Sequence, residues 1–457
     1  MLQMIGLIWS NLDMYVATAP SLTDLFVELK GERLFELLQL GIKDDGRDYV
    51  HWDKLRQLDP PANLTHREWW MLIKFARQQL LRPFPLTDAD GEHFSYGVPD
   101  LVARGLHYVD QRCSGEIAMP EVVTADDQAR SHYLVNSLME EAIRSSQLEG
   151  ATTTRRVAKE LLKTGREPKD RSERMILNNY RALQYMRDEM DETLTPESVL
   201  ELQRILTEGT LDHPDAAGRL QRPDEIRVSV VDPKTGKVVH TPPPAEQLPE
   251  RLRAMCDFAN EGEAPDRFIH PVVRAILLHL WLAFDHPFED GNGRTARALF
   301  YWYMRTRKYW LVEYLSISRI LRDAPAQYSR SFMFTEHDAL DATYFIVYQL
   351  RVIQRAIDQL HAYLRKKIKE VRDVEKLVRG STNFNQRQLA LLGDALRDPE
   401  ASYSFTTHAT TNNVTHETAR NDLIPLTELG LLERRRQGRT FSFTPVKDLA
   451  DRLKTIS

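Results

Sequence analysis

Apolar positions recur at helical spacing over most of this 457-residue chain. They give way to alternation around residues 226–241 and again near the C-terminus. Residues 1–115 read as helical, with Trp69, Trp70 and Phe75 as aromatic anchors in "HREWWMLIKFARQQLL". Turn signals follow in "RPFPLTDADGEHFSYGVPD". The helical pattern is dense from 116 to 375, apart from "IRVSVVDPKTGKVVHTPPP", which alternates on either side of Asp232–Gly236. That stretch predicts a β-hairpin closed by Pro242–Pro244. Leu360–Gly380 is a charged helix that reads as a connector. Beyond 380 come a helix, a short strand "YSFT", a second helix stopped at Gly430, and two strands around Gly438. This order predicts a winged helix over 380–457. The expected fold class is therefore mainly α: a helical core with one hairpin, plus a C-terminal winged helix.

The densest chemistry lies where one helix ends and another begins. "HPVVRAILLHLWLAF", His270–Phe284, is apolar nearly all round, so it should be central and buried, with Pro271 in its first turn. His279 within it reads as a satisfied core histidine. The chain then turns through "DHPFEDGNG" into a helix starting near Arg294. Gly291, Asn292 and Gly293 precede that helix start. Free N–H groups and the positive dipole end make an anion site there, and the glycines let a phosphate approach the backbone. Arg294 and Arg297 are three apart and share a helix face. Asp290 suits Mg²⁺, which binds through one or two carboxylates plus phosphates. His286 is the nearby group able to take a proton near neutral pH. Phe288 should point into the core. No HExxH and no GxxxxGK[ST] occurs, so neither a zinc protease of that type nor a Walker loop is present.

A second stripe sits upstream. In "YLVNSLMEEAIRSSQLEG", Leu134, Leu138, Ala142, Ser145 and Glu149 step by helical intervals, and Gly150 reads as the stop. Glu149 thus continues an apolar face at the helix end where the dipole disfavours an anion. The pattern leaves two readings open. Glu149 is either a solvated end residue or a buried carboxylate that needs a cation.

Composition narrows the class without naming it. Hydrophobic residues are 42% and charged residues 28%, and the net charge is −5, so no global basic field favours nucleic acid or membrane. Within 380–457 the basic residues bunch in "RRRQGR" (Arg434, Arg435, Arg436, Arg439), where DNA contact, a homodimer contact or a protein-binding role stay open. Two cysteines, Cys113 and Cys256, form neither a disulfide framework nor a zinc spacing. Without basic residues before its apolar part, the N-terminus does not read as a signal peptide, and the longest apolar run is too short to span a bilayer. A cytoplasmic location with no membrane partner is expected.

"HPFEDGNGRTAR", His286–Arg297, resembles the Fic family signature HPFx(D/E)GNGRxxR at every defined position. The resemblance covers about 120–375 and implies transfer of AMP from ATP to a Ser, Thr or Tyr hydroxyl of a target protein. It implies that His286 is the base and that Asp290 holds Mg²⁺. Asn292 with the Gly291 and Gly293 amides would cradle the α- and β-phosphates. Arg294 would pair with the β/γ end and Arg297 with the γ-phosphate. The hairpin at 226–241 resembles the family's flap, which holds the target segment by strand addition. Gly293, where kinase-like relatives carry lysine, favours nucleotidylation. "SSQLEG", Ser145–Gly150, resembles the family's inhibitory motif, on a helix at about 133–150. This implies that Glu149 pairs with Arg297 and blocks the γ-phosphate position, with Ser145 capping or supporting the helix. In some relatives the same glutamate positions a water that removes AMP. One departure is "GRLQR": Leu220 and Gln221 stand where an aromatic residue and arginine are usual, and Arg222 comes one step late. The leading expectation is an autoinhibited protein adenylyltransferase. The alternative is a nucleotide-sensing DNA-binding regulator.

Overall fold

The structure is a computed structural model, and it describes residues 16–29, 31–40, 48–61, 63–114, 127–227, 230–231, 238–262, 268–380, 384–397, 401–437 and 440–456. It divides into two compact units. The first comprises Met1–Ile117 and Leu134–Ile357, and the second Ala118–Tyr133 and Asp358–Ser457. The expectation of a mainly helical chain holds in both. No helix among the described residues is long and apolar enough to cross a membrane.

The first unit begins with helices α1 (Leu22–Glu28), α2 (Glu32–Leu40), α3 (Trp52–Leu55) and α4 (His66–Gln78). Thr65 and Glu68 form a capping box that starts α4. Leu25, Leu37, Leu55 and Trp70 are fully buried between these helices. The turn-rich stretch after α4 is not a loop. It forms an antiparallel hairpin, β1 (Arg82–Thr87) and β2 (His93–Tyr96), turning through Asp88–Gly91. Pro83 and Pro85 were read as breakers, yet both sit on the exposed face of an edge strand, where proline is tolerated. Phe84, Leu86, Phe94 and Tyr96 point inward.

Helices α5 (Asp100–Cys113), α6 (Asp127–Leu148), α7 (Arg155–Thr164), α8 (Arg171–Asp188) and α9 (Pro196–Thr207) follow. The strands β3 (Val230–Val231) and β4 (Val238–His240) of the expected hairpin pair antiparallel; the turn expected at Asp232–Gly236 lies outside the described residues. Then come α10 (Leu248–Asn260), α11 (Pro271–Asp285), α12 (Asn292–Thr306), α13 (Ile317–Asp323), α14 (Pro325–Glu336) and the long α15 (Thr343–Gly380). α11 is buried at every position from Val272 to Leu282, as its all-round apolar pattern demands. α12 packs against α11, α8 and α9. The β1–β2 hairpin lies against α11 through Phe84 on Trp281 and Phe94 on Phe284, with ring centroids 6.3 and 4.8 Å apart. His279 is a core histidine, its Nε2 2.8 Å from the Tyr328 hydroxyl. Burial pushes its pKa down to about 3.

A buried polar chain joins α4 to the start of α15. Lys74 pairs with Asp338 at 2.8 Å, Asp338 accepts from the Tyr344 hydroxyl, and Arg77 donates to that same hydroxyl. The Arg77 guanidinium stacks on Tyr49 at 3.8 Å, and Tyr49 donates to Asp341. Each charge is matched inside the fold, as burial requires.

In the second unit, α16 (Gln386–Arg397), α17 (Phe405–Asn412) and α18 (His416–Glu428) precede the strands β5 (Leu432–Gln437) and β6 (Thr440–Pro445) and a last helix, α19 (Leu449–Ile456). The strand expected at "YSFT" shrinks to one bridge, Tyr403 to Phe443, because Ser404 and Thr407 form a capping box that starts α17 at once. Leu392, Leu423, Leu426, Leu431, Phe443 and Leu453 are fully buried. Asp422, 2% exposed, receives Arg387, Asn385 and His408 and ties three helices together.

Candidate active site

α11 ends on an unusual residue. His286 is its C-cap in the left-handed region, at φ 45° and ψ 53°, where L-residues are strained by about 1–3 kcal/mol. That conformation turns the chain sharply toward α12. The strain is held by the surroundings. Asp285, one residue earlier, is buried; its Oδ1 accepts Arg251 Nε and Nη2 at 2.9 and 2.6 Å, and its Oδ2 accepts Trp281 Nε1 at 3.0 Å. Arg251 also donates to the Thr87 carbonyl and hydroxyl, so the β1–β2 hairpin, α10 and the turn at His286 share one clamp. Burial pushes the Asp285 carboxyl up, and Arg251 and Trp281 oppose that shift. Removing one member of a buried pair leaves an uncompensated charge. Arg251→Ala is accordingly expected to lower stability by about 3–5 kcal/mol, read as a shifted midpoint in urea denaturation; a midpoint within error of wild type would show the clamp to be idle.

The His286 imidazole is neutral at ordinary pH. Burial, then the charges of His240 and Arg227, lower its pKa to about 4, against the Ala283 carbonyl and Asp290, which raise it. A ring neutral at pH 7 is free to accept a proton.

The following loop is built around its own backbone. Phe288 is buried, as expected. Asn292 accepts from the Phe288 N–H at 2.9 Å and donates to the Phe288 carbonyl at 2.8 Å. Its side-chain amide thus holds the loop closed on itself. Gly291 sits at φ +87°, and a Cβ there would lie 2.9 Å from Thr207 Cγ2, so glycine is needed for both reasons. α12 opens with the N–H groups of Asn292, Gly293 and Arg294 at its free N-terminus, and the first intrahelical bond is Thr295 to Gly291.

Asp290 and Arg294 form a pair at 3.0 Å. Arg294 also donates to the Leu206 carbonyl, and its side chain is fully buried. Its effect is electrostatic. Burial raises the Asp290 pKa, but Arg294, the Gly291 amide and Arg171 outweigh that and hold the carboxyl low. Asp290 Oδ2 faces Arg171 at 3.7 Å, and a third of its side chain is exposed. Gln203 braces the loop from behind, donating to the Asp290 carbonyl and accepting from Gly218.

Arg297 is 3% exposed. Its Nη2 donates to Glu149 Oε1 at 2.8 Å and to the Ser145 carbonyl, and its Nε donates to the Ser145 hydroxyl at 2.9 Å. Ser145 therefore supports the arginine, not its own helix end. The Arg297 Nη1 is buried with no hydrogen-bond partner. Glu149 does more than pair: a Cβ added to Gly293 would collide with its Oε1 and come within 3.0 Å of Arg297 Nη1. A carboxylate, a buried guanidinium and the free amides of α12 thus converge on Gly293. Of the two readings of Glu149, the paired one describes the structure.

α6 is held in turn by Glu141, two turns earlier. Its carboxylate is buried and accepts from the Ser316 and Ser318 hydroxyls and the Ser318 amide. Among the described residues no group of three or more His, Cys, Asp or Glu side chains could hold a metal ion.

Sequence reading missed Asp285, Arg251, Arg227, His240 and Glu141. Arg227 and His240 lie on the flap, where alternation marks faces but not partners. Gln221, the departure noted above, is buried; its amide donates to the Pro287 carbonyl and its side-chain oxygen accepts Arg227. Arg222 is exposed and its backbone is tied to Glu225.

The Fic/DOC family model matches residues 193–304. A protein adenylyltransferase Fic from Nematostella vectensis is 30% identical over 163 residues, 34% of each chain. Protein adenylyltransferase fic-1 from Caenorhabditis elegans is 42% identical over 59 residues, 13% of this chain and 11% of that one. The chain thus spans about a third or less of these curated relatives. The crystal structure of a Fic family protein from Desulfovibrio desulfuricans G20 has the same fold, with a TM-score of 0.52 at 19% identity over 79% of this chain and 99% of that one. Residues 193–304, from the loop before α9 through most of α12, are therefore a Fic/DOC family domain.

Proposed function

We propose that the chain is an autoinhibited protein adenylyltransferase. The observation that carries this reading is the convergence at Gly293 of free helix amides, the Arg297 guanidinium and the Glu149 carboxylate, one turn of chain away from a neutral His286. His286 would take the proton of a protein hydroxyl. The hydroxyl oxygen would then bond to the α-phosphorus of ATP while the bond from that phosphorus to the bridging oxygen breaks and pyrophosphate leaves. The amides of Gly293 and Arg294 and the α12 dipole would stabilise charge on the phosphates. Asp290, with no cluster of protein ligands beside it, would hold Mg²⁺ together with substrate phosphates, and the ion would neutralise phosphate charge. Glu149, seated against Gly293 and paired with Arg297, would compete with the γ-phosphate. Once that competition is relieved, the same carboxylate could orient a water for removal of AMP.

The test is incubation of wild type and Glu149→Gly with α-labelled and γ-labelled ATP and Mg²⁺. Label transferred from the α position supports the reading; transfer from the γ position, or none from either, would overturn it.

A second reading, a nucleotide-sensing DNA-binding regulator, is favoured by the exposed Arg434, Arg435 and Arg436 on β5, next to α18 in a winged-helix order. Arg439 lies outside the described residues. Under this reading, a gel shift with duplex DNA weakens steeply with salt, and the triple change of these arginines to alanine reduces the salt slope by about two to three phosphate equivalents. Binding that is absent, or flat across the salt series, counts against it.

A further inference from the structure

The last carbonyls of α11 have no partner within their helix and carry the negative end of its dipole. Three in a row are met by two side chains at the base of the flap. His240 Nε2 lies 2.9 Å from the Phe284 carbonyl. Arg227 Nη2 donates to the Asp285 carbonyl at 2.6 Å and Nη1 to the His286 carbonyl at 2.8 Å. Arg227 Nε reaches back to the Pro243 carbonyl, closing the flap's two ends on the same turn. The other ring nitrogen of His240, Nδ1, lies 2.8 Å from Glu336 Oε2 on α14.

Both His240 partners are acceptors. A neutral imidazole has one N–H and can satisfy only one of them; the imidazolium has two and satisfies both. The ring also packs on Phe284, with centroids 4.8 Å apart. We propose that His240 is a positioning residue: in its charged form it docks the second flap strand on the turn that carries His286, and so sets how the acceptor segment is held. Arg227 is the permanent half of this clamp and His240 the titratable half.

The groups facing His240 bear this out. Burial disfavours its charge, but Glu336, the Phe284 carbonyl and Asp285 outweigh burial and raise its pKa. His286, on the same turn, feels the His240 charge as one of the influences that lower its own pKa, and Arg227 and Arg251 flank Asp285. The sign follows. A raised pKa means that docking is complete below the ordinary histidine value and is lost as pH rises through the raised one. Loss of the His240 charge also makes His286 more basic, so undocking should weaken acceptor binding without slowing the proton transfer.

The inference rests on the proposed AMP transfer for its consequence, but not for its test. The full chain, labelled with carbon-13 at histidine Cε1, is titrated by NMR, with the His240 signal assigned by its absence in His240→Gln. The expected midpoint lies above the ordinary value of about 6.5 and falls in Glu336→Gln, which removes the partner that raises it. Hydrogen exchange at Val238 and His240 should accelerate beyond its intrinsic pH dependence as that midpoint is passed, and lose this step in Glu336→Gln. A midpoint at or below the ordinary value, or one unmoved by Glu336→Gln, overturns the proposal. In the Glu149→Gly background, His240→Gln should lower self-labelling several-fold with the KM for ATP unchanged. If Glu149→Gly labels nothing, the transfer reading fails while the titration and exchange still decide the clamp.

Discussion

Glu149→Gly is expected to raise AMP transfer by about 5- to 150-fold, the range given by a coupling of 1–3 kcal/mol between two sites. The size follows from what the side chain occupies. Its carboxylate takes the Arg297 Nη2 donor at 2.8 Å and lies against Gly293, so an incoming phosphate must displace it from both. The same displacement predicts a second signature. Without Glu149, Arg297, 3% exposed in the wild-type chain, loses its anion, while Ser145 still receives its Nε. The variant without nucleotide should therefore melt below wild type. Adding ATP and Mg²⁺ should raise its melting temperature by more than it raises that of wild type, because a ligand stabilises in proportion to how tightly it binds the folded state. Thermal shift with and without nucleotide reads both effects. Equal nucleotide shifts in the two chains would mean that Glu149 does not compete, whatever the rate of transfer.

The inhibitory contact illustrates what a sequence can disclose. Helical spacing puts Glu149 on the buried stripe of α6 and Gly150 at its stop, at φ +97°. Spacing alone does not supply the cation, which lies 148 positions away. The buried α11, the αL turn into a glycine-started helix and the core role of Phe288 are all readable because local apolar pattern and backbone chemistry dictate them. Side-chain direction within the motif is not. A linear reading marks Asn292 and Arg294 as ligands for phosphate and does not show that each also satisfies an orphaned backbone group. Phe288 and Leu206 claim them. The β1–β2 hairpin was hidden for a related reason: its prolines advertise turns, and only the aromatic face of α11 explains why an edge strand forms there. Arg227 was illegible because it meets the turn through backbone carbonyls, which leave no mark on the sequence, and Arg251 because its carboxylate partner, Asp285, lies 34 positions away.

His286→Ala is expected to lower AMP transfer by about 10²- to 10⁴-fold, the usual contribution of a positioned general base, with nucleotide affinity nearly unchanged. The phosphate-binding donors of this reading are the α12 amides and not the ring, so loss of the imidazole should appear in the rate and not in the thermal shift by ATP. The pH profile is the sharper measurement. An ordinary histidine base would lose activity as pH falls through about 6.5. His286 is held near 4 by burial and by the His240 and Arg227 charges, so it stays neutral well below that. In Glu149→Gly, transfer should hold level from neutral pH down to about 5 and fall only as pH approaches 4. Arg227 makes this falsifiable from within the molecule. Its guanidinium is one of the charges lowering that pKa and also holds the Asp285 and His286 carbonyls. Arg227→Gln should move the acid limb upward toward 6.5. An acid limb already at 6.5 in the parent would mean that the ring is solvated in the working enzyme, and that the clamp on the end of α11 does not set its basicity.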